Sequence, residues 1–458
     1  MACGDDSSAV DAALVDASVD SADVGATGQC EGPADQAVFA SGVDAADASG
    51  TCALDNIATP DQVDGCIVDA TGLSSACAGC FGDNVRCIFD NCLLNCADPE
   101  SDACVACQAE FCTAALAECS GLDLEGGGGE PNPLDNPPPI DPSLENPLAA
   151  VLADYETAYA EANPHDVLFA ERDGARIAVR RFAASGAVSG PPMVLLHGFP
   201  DSQHLYDFVI PLLRSERDVI SFDFLGWGAS DKPDARTHDY DTDGMRADFE
   251  AVLALFEDEE EWVLVVHDAG GWPGIDWALD NPSRVSALVI LNTVYHPTET
   301  AVAPTGLGQV GLPGPNRDMF TQEALNDFSF WLEGNGTPDF IGLRAQLDEF
   351  MNDEEADAIL RPVLEAESFF MRPAFVELAR RLSAEVAARG PAIPRMAAFD
   401  RPVSVVFGTD DPFLNPGVAA DFTERFPRAL RQDIDGAHHY VQVDAPAPVA
   451  DAILTAHE

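Results

Sequence analysis

WVLVVHDAGGWPG, residues Trp262–Gly274, sets an acid where a buried strand must turn sharply into a helix. Val263 to Val266 is an unbroken β-branched and aliphatic run, as a strand covered on both faces of a parallel sheet requires. Asp268 follows, then Ala269, Gly270 and Gly271, small enough for a tight turn, and a helical period through Trp277 to Leu279 that Asn281-Pro282 stops. The pattern predicts a strand–turn–helix elbow with aspartate in the seat that serine occupies in the commoner form. An aspartate after a strand can equally be the N-cap of the next helix. The choice between these readings comes from other segments.

Upstream, PPMVLLHGFPDS (Pro191 to Ser202) reads as a buried strand ending in His197-Gly198-Phe199-Pro200, followed by an amphipathic run from Leu205 to Leu213. DVISFDFLGWGASDKP holds a strand, Val219 to Phe222, ending in Asp223, Gly226, Gly228 and Ser230. Val285 to Asn292 is another strand, and PVSVVFGTDDPFL (Pro402 to Leu414) one more, with Asp410 and Asp411 just past its end. RQDIDGAHHYVQVDAP then leads into His438, His439 and a last helical run from Val449.

Over roughly residues 165 to 458 these segments resemble the α/β-hydrolase fold family, in the branch holding epoxide hydrolases and haloalkane dehalogenases. The stretches H-G-F-P, D-x-x-G-x-G-x-S, H-D-A-G-G, G-T-D-D-P and H-Y-V-Q-V-D-A-P are similar to that branch's landmarks and keep its order. Val266 stands where the branch usually carries a smaller residue. The resemblance implies an α/β fold with a mostly parallel sheet and a helical cap domain. It implies Asp268 as nucleophile, Asp411 as acid and His439 as base. Asp411 is preferred to Asp410 because the family's acid falls three residues after the glycine, here Gly408, and His439 to His438 for its spacing to Asp444 and Pro446.

A free carboxylate has a reference pKa of about 3.9, so Asp268 needs no base before it attacks. On the resemblance it would displace a leaving group at saturated carbon, forming an alkyl ester of the protein. Water activated by His439 would then attack the ester carbonyl carbon and release the alcohol. The backbone N–H groups of Phe199 and Ala269 are the donors that the resemblance implies for the carbonyl oxygen of Asp268. The same carry-over implies no metal or organic cofactor and a small apolar substrate.

About a hundred residues, roughly 297–397, separate strand Val285 to Asn292 from strand Val403 to Phe407, far beyond an ordinary loop. Their pattern is helical: Phe328, Trp331 and Leu332 share a face, as do Phe340, Leu343, Leu347 and Phe350, and Pro373 to Gly390 reads as a helix opened by proline and closed by glycine. Most of these aromatic side chains are expected in the cap core. No Tyr lies between Pro297 and Asp400 to protonate an alkoxide, and Ala269 stands where haloalkane dehalogenases commonly carry a Trp. His197, Pro200, Trp272, Tyr295 and Trp331 are the remaining candidates for the substrate pocket.

The N-terminal part differs in kind. Net charge is −56, and Arg86 is the only Lys or Arg before Arg172, which excludes phosphate backbones as partners. Residues 1–50 read as a disordered acidic stalk, 51–120 as a Cys-rich module, 121–150 as a Gly/Pro linker and 151–458 as the α/β domain. All 13 cysteines precede residue 120, at spacings that suggest a helical hairpin stapled by disulfides. Zinc at the two C-x-x-C pairs is the rival reading.

Ala2-Cys3-Gly4 before an acidic stretch is similar to the end of a bacterial lipoprotein signal, which implies lipid on Cys3 and a membrane tether. A basic start and an apolar run are missing from the sequence as given, so the reading frame is expected to extend upstream. The alternative is a cytoplasmic chain with reduced or zinc-bound thiols. Nothing in the sequence specifies an oligomer. The expectation is an exported hydrolase, tethered or secreted, that forms an aspartyl ester with epoxides or alkyl halides. Rivals are a hydrolase of ester-like substrates and a surface binding module that retains the fold without turnover.

Overall fold

A computed structural model of the chain describes residues 62–92, 111–120 and 140–456 apart from 189, 299, 303–319 and 337–339, with isolated residues at 29–30, 35, 38, 49, 52, 107–108, 137 and 139. Cys3, most of the expected stalk and most of the expected linker lie outside these residues. The chain divides into two compact units, residues 1–85 with 114–124 and residues 86–113 with 125–458.

Among the described residues toward the N-terminus are helices α1 (Val63–Thr71), α2 (Ser75–Asn91) and α3 (Thr113–Ser120). The disulfides are Cys30–Cys77, Cys52–Cys66, Cys80–Cys119, Cys87–Cys112 and Cys92–Cys107. The last three are nested, the order that an antiparallel pairing of two arms produces. Each bridge contributes about 2–4 kcal/mol, which so short a segment needs because it buries little apolar surface. No group able to hold a metal and no helix long and apolar enough to cross a membrane occurs among the described residues.

The second unit is built on one sheet of eight strands in the order β1-β2-β4-β3-β5-β6-β7-β8. These are β1 (Asp166–Arg172), β2 (Ala175–Phe182), β3 (Met193–Leu196), β4 (Val219–Phe222), β5 (Trp262–His267), β6 (Val285–Leu291), β7 (Val403–Gly408) and β8 (Ala429–Ile434). The first hairpin and the β2–β4 pair are antiparallel; the other pairs are parallel. Side-chain alternation divides the inner strands between two cores. Val194, Leu196, Leu264, Val266, Leu288, Ile290, Val405 and Phe407 fill one, and Met193, Leu195, Val263, Val265, Ala287, Val289 and Val406 the other. Such full burial of a Val, Leu or Ile side chain is worth about 1.5–3 kcal/mol.

Helices α4 (Ala149–Ala162), α5 (Thr242–Ala254) and α6 (Gly271–Asp280) precede the insert between β6 and β7. That insert is helical: α7 (Gln322–Asn326), α8 (Phe328–Glu333), α9 (Gly342–Phe350) and α10 (Glu354–Ala387). Pro373 does not open a helix, contrary to the sequence expectation; it lies inside the 34-residue α10. Proline there leaves the carbonyl four residues back without its amide donor. Arg372 Nε donates to that oxygen, Phe369 O, at 2.8 Å. After β7 come α11 (Pro416–Arg425) and α12 (Pro446–Thr455).

The linker reading ran to residue 150, but its described end is bonded to the insert. Asp141 N donates to Asn326 Oδ1 at 3.1 Å, Gln322 Nε2 to Pro139 O at 3.1 Å and Asn146 Nδ2 to Ala366 O at 2.7 Å. Ile140 joins the hydrophobic core. A composition of Pro, Asn and Asp shows no periodicity, so the sequence gives no sign of such docking.

Candidate active site

Asp268, Phe199, Asn292, Asp411 and His439 all follow the carboxyl ends of neighbouring strands β5, β3, β6, β7 and β8. Parallel strands gather their terminal loops on one edge of the sheet, where α/β proteins build their sites. Asp268 has φ 45°, in the left-handed region. Its N–H donates to Asn292 O at 3.1 Å, and Thr293 Oγ1 donates to its carbonyl at 2.6 Å. At Gly198 a Cβ would overlap Asp268 Cβ, so only glycine lets the loop after β3 approach. A Cβ at Gly274 would stand 2.5 Å from Val266 Cγ1, so this glycine makes room for the large residue at the elbow.

Phe199 N–H donates to Asp268 Oδ1 at 3.1 Å. The other oxygen, Oδ2, lies 3.5 Å from His439 Nε2. His439 Nδ1 donates to Asp411 Oδ2 at 2.8 Å. Asp411 also accepts from Phe413 N at 2.8 Å, Leu414 N at 2.9 Å and Asn292 Nδ2 at 2.7 Å, while Asn292 Oδ1 accepts from Gly408 N at 2.9 Å. Side-chain exposure is 19% for Asp268, 5% for His439 and 0% for Asp411, so the open member of this row is Asp268.

The electrostatics follow from that row. Burial disfavours a charged His439, but the charge of Asp411, the hydrogen bond to it and the nearby Asp268 carboxylate outweigh it and raise its pKa to about 10. Burial pushes Asp411 up, yet His439 and the two backbone donors bring it down to about 2. Burial likewise raises Asp268, and His439 overrides it, leaving the carboxyl below its ordinary range. An imidazolium is thus held between two carboxylates. His438 is a neighbour of a different kind, its N–H donating to Asp444 Oδ2 at 2.8 Å.

The profile of the alpha/beta hydrolase fold matches residues 191–446, more than half of the chain, and takes in every residue of this row. The chain belongs to the alpha/beta hydrolase fold family. Within that family it is 28% identical to the haloalkane dehalogenase of Sphingobium indicum over 301 residues, 62% of this chain and 94% of that one. It is 26% identical to the cis-3-alkyl-4-alkyloxetan-2-one decarboxylase of Xanthomonas campestris pv. campestris over 275 residues, 58% of this chain and 88% of that one. The Shewanella oneidensis decarboxylase of the same name is 38% identical over 119 residues, 26% of this chain and 37% of the relative's length. A crystal structure of a membrane phospholipase A, a bacterial virulence factor, shares the fold with TM-score 0.52 and 17% identity, covering 68% of this chain and 92% of that one.

As an alpha/beta hydrolase, the chain uses several of the expected pocket residues for support instead. His197 is fully buried, its Nδ1 donating to Gly198 O at 2.7 Å and its Nε2 accepting from Phe224 N at 3.1 Å. It braces the loop of Phe199. Pro200 is buried and joined to Phe199 by a cis peptide bond. Trp272 Nε1 donates to Val294 O at 2.8 Å, and Trp331 Nε1 to Ser368 Oγ at 3.0 Å. The Tyr295 hydroxyl donates to Asp276. Ala269 is fully buried next to Asp268.

Other residues came to the site unannounced. Phe350, expected in the cap core, has its ring 5.0 Å from that of His439. Phe375 packs 5.6 Å from Phe199 and 4.8 Å from Trp331. Asn292 carried a signal, since the residue after a strand beside the elbow strand must face the site. Phe375 carried none, because the sequence does not register α10 against the sheet.

Proposed function

We propose that this protein is a hydrolase that opens epoxide or alkyl-halide type substrates through an alkyl ester of Asp268. The observation that carries this reading is a carboxylate at the elbow tip, with one oxygen on the Phe199 N–H and the other facing His439. Asp268 Oδ2 attacks saturated carbon, and the leaving group departs with its bonding pair. The resulting ester keeps its carbonyl oxygen, Oδ1, on the Phe199 N–H, with the Ala269 N–H as the second proposed donor.

Esterification removes one of the two anions that hold the proton on His439, so the imidazolium becomes a stronger acid at that moment. For an epoxide, the new alkoxide takes this proton, a task for which the cap offers no tyrosine; for a halide, the proton leaves to solvent. Neutral His439 then takes a proton from water as the water oxygen attacks the ester carbonyl carbon. Collapse of the tetrahedral intermediate returns that proton to the departing alcohol oxygen and restores Asp268. Asp411 holds the ring of His439 throughout.

The similar proteins are named for haloalkanes and alkyl-oxetan-2-ones, which agrees with attack at a carbon bearing a leaving group. The N–H donors of Trp272 and Trp331 are already committed, which favours a strained ring over a free halide as leaving group. A panel of epoxides, haloalkanes and activated esters, read for product, tests the reading. Diol or alcohol from the first two classes is expected. Turnover of activated esters alone, retained in Asp268→Asn, would contradict it.

A further inference from the structure

Behind the site lies a second carboxyl and imidazole that the proposed chemistry does not use. Asp201 follows Phe199-Pro200, His267 precedes Asp268 and Tyr440 follows His439. Asp201 and Tyr440 meet through a hydrogen bond from the phenol to Asp201 Oδ1. Asp201 Oδ2 stands 3.7 Å from His267 Nδ1, with both side chains fully buried. Neither of these facing atoms has a hydrogen-bond partner among the described residues. His267 Nε2 lies 3.1 Å from the carbonyl oxygen of His439, where only an N–H can bond. The contacts therefore close a ring: His439 to Tyr440 along the chain, Tyr440 to Asp201, Asp201 to His267, and His267 back to His439.

The proton count in this ring follows from geometry. With Nε2 as donor, a neutral His267 presents a lone pair at Nδ1, and an ionised Asp201 would set a second lone pair against it. Charging His267 instead would place an imidazolium beside that of His439, whose ring centre is 4.9 Å away. A proton on Asp201 Oδ2 removes the conflict. Buried polar atoms facing one another are otherwise costly, about 1–3 kcal/mol each.

We propose that Asp201 is a positioning residue: as a neutral acid joining Tyr440 to His267, it sets the separation of His439 from Asp268 for attack of water on the ester. The inference rests on the ester mechanism above. The charged and titratable groups around Asp201 are Asp268, His439, His267, Tyr440 and Tyr206. Burial, then the charge of Asp268, pushes its pKa up to about 7, in keeping with a proton retained at pH 6. At 3.7 Å the two atoms, Asp201 Oδ2 and His267 Nδ1, face each other beyond hydrogen-bond length, with no other partner for either among the described residues.

Asp201→Asn keeps the acceptor for Tyr440 and supplies an N–H for His267 Nδ1, whereas Asp201→Leu supplies neither. In single-turnover mass spectrometry Asp201→Asn should form and hydrolyse the ester within about threefold of wild type. Asp201→Leu should form it at a similar rate but hydrolyse it about 10- to 100-fold more slowly, the range a displaced base produces. Asparagine as slow as leucine would show that the ionised carboxylate is what matters, and leucine with normal ester hydrolysis would remove any positioning role; either overturns the proposal. Infrared spectra of protein carrying labelled aspartate give a substrate-free reading: at pH 6 wild type should show a neutral carboxyl band that Asp201→Asn lacks. Its absence from wild type would overturn the proposal as well. Should no ester form in any variant, the ester mechanism fails, while the infrared band still decides the state of Asp201.

Discussion

Asp268 occupies φ 45°, where a residue other than glycine gives up about 1–2 kcal/mol. Bonds from its N–H to Asn292 and to its carbonyl from Thr293 hold it there, with its carboxylate raised toward Phe199 and His439. In the proposed mechanism His439→Gln should still form the ester but not discharge it. Mass spectrometry should then find a trapped adduct on Asp268, and Asp268→Asn should give none. An adduct trapped by His438→Gln, with His439→Gln turning over, would move the base by one residue. The pH dependence of stability has a defined sign. His439 titrates near 10 when folded and near 6.5 when unfolded, so its contribution is complete below about 6.5 and lost as pH rises through 10. Asp411 titrates near 2 when folded, so its contribution is present above about 4 and lost as pH falls through 2. Thermal unfolding should therefore separate wild type from His439→Gln most widely at pH 6 and least near pH 10. A separation that grows with pH would show that the imidazolium is not held by the two carboxylates.

Elements were legible in the sequence to the extent that one pattern determined them. The inner strands are continuous apolar runs, and the order of their terminal residues follows from parallel pairing, so Phe199, Asp268, Asp411 and His439 gather on one edge of the sheet. The long α10 was misread at Pro373 because Arg372 supplies the missing donor, a contact no periodicity reports. Trp272, Trp331 and Tyr295 were candidates for the pocket, but which acceptor each polar group takes depends on packing. The docking of residues 139–146 on the insert was equally hidden. It gives an expectation for truncation. A fragment beginning at Glu130 should retain turnover of small substrates, whereas one beginning at Ala149 loses the Asn146 bond and the Ile140 packing and should unfold at lower temperature, by about 1–3 kcal/mol. Equal stability of the two fragments would show that this docking contributes nothing.

For the whole molecule, a strongly acidic chain with disulfides confined to its N-terminal part is suited to an oxidising compartment. We propose export on that ground, with Cys3 lipidated; protein from its own host should then show no titratable thiols, and free thiols would return it to the cytoplasm. The α/β unit carries every residue of the proposed chemistry, in which water enters product by way of Asp268. Single turnover in water labelled with heavy oxygen, with protein in excess over an epoxide or alkyl halide, tests this directly. The label should appear in the carboxylate of Asp268 and the first product should be unlabelled; label in the first product and none in Asp268 would contradict the ester mechanism.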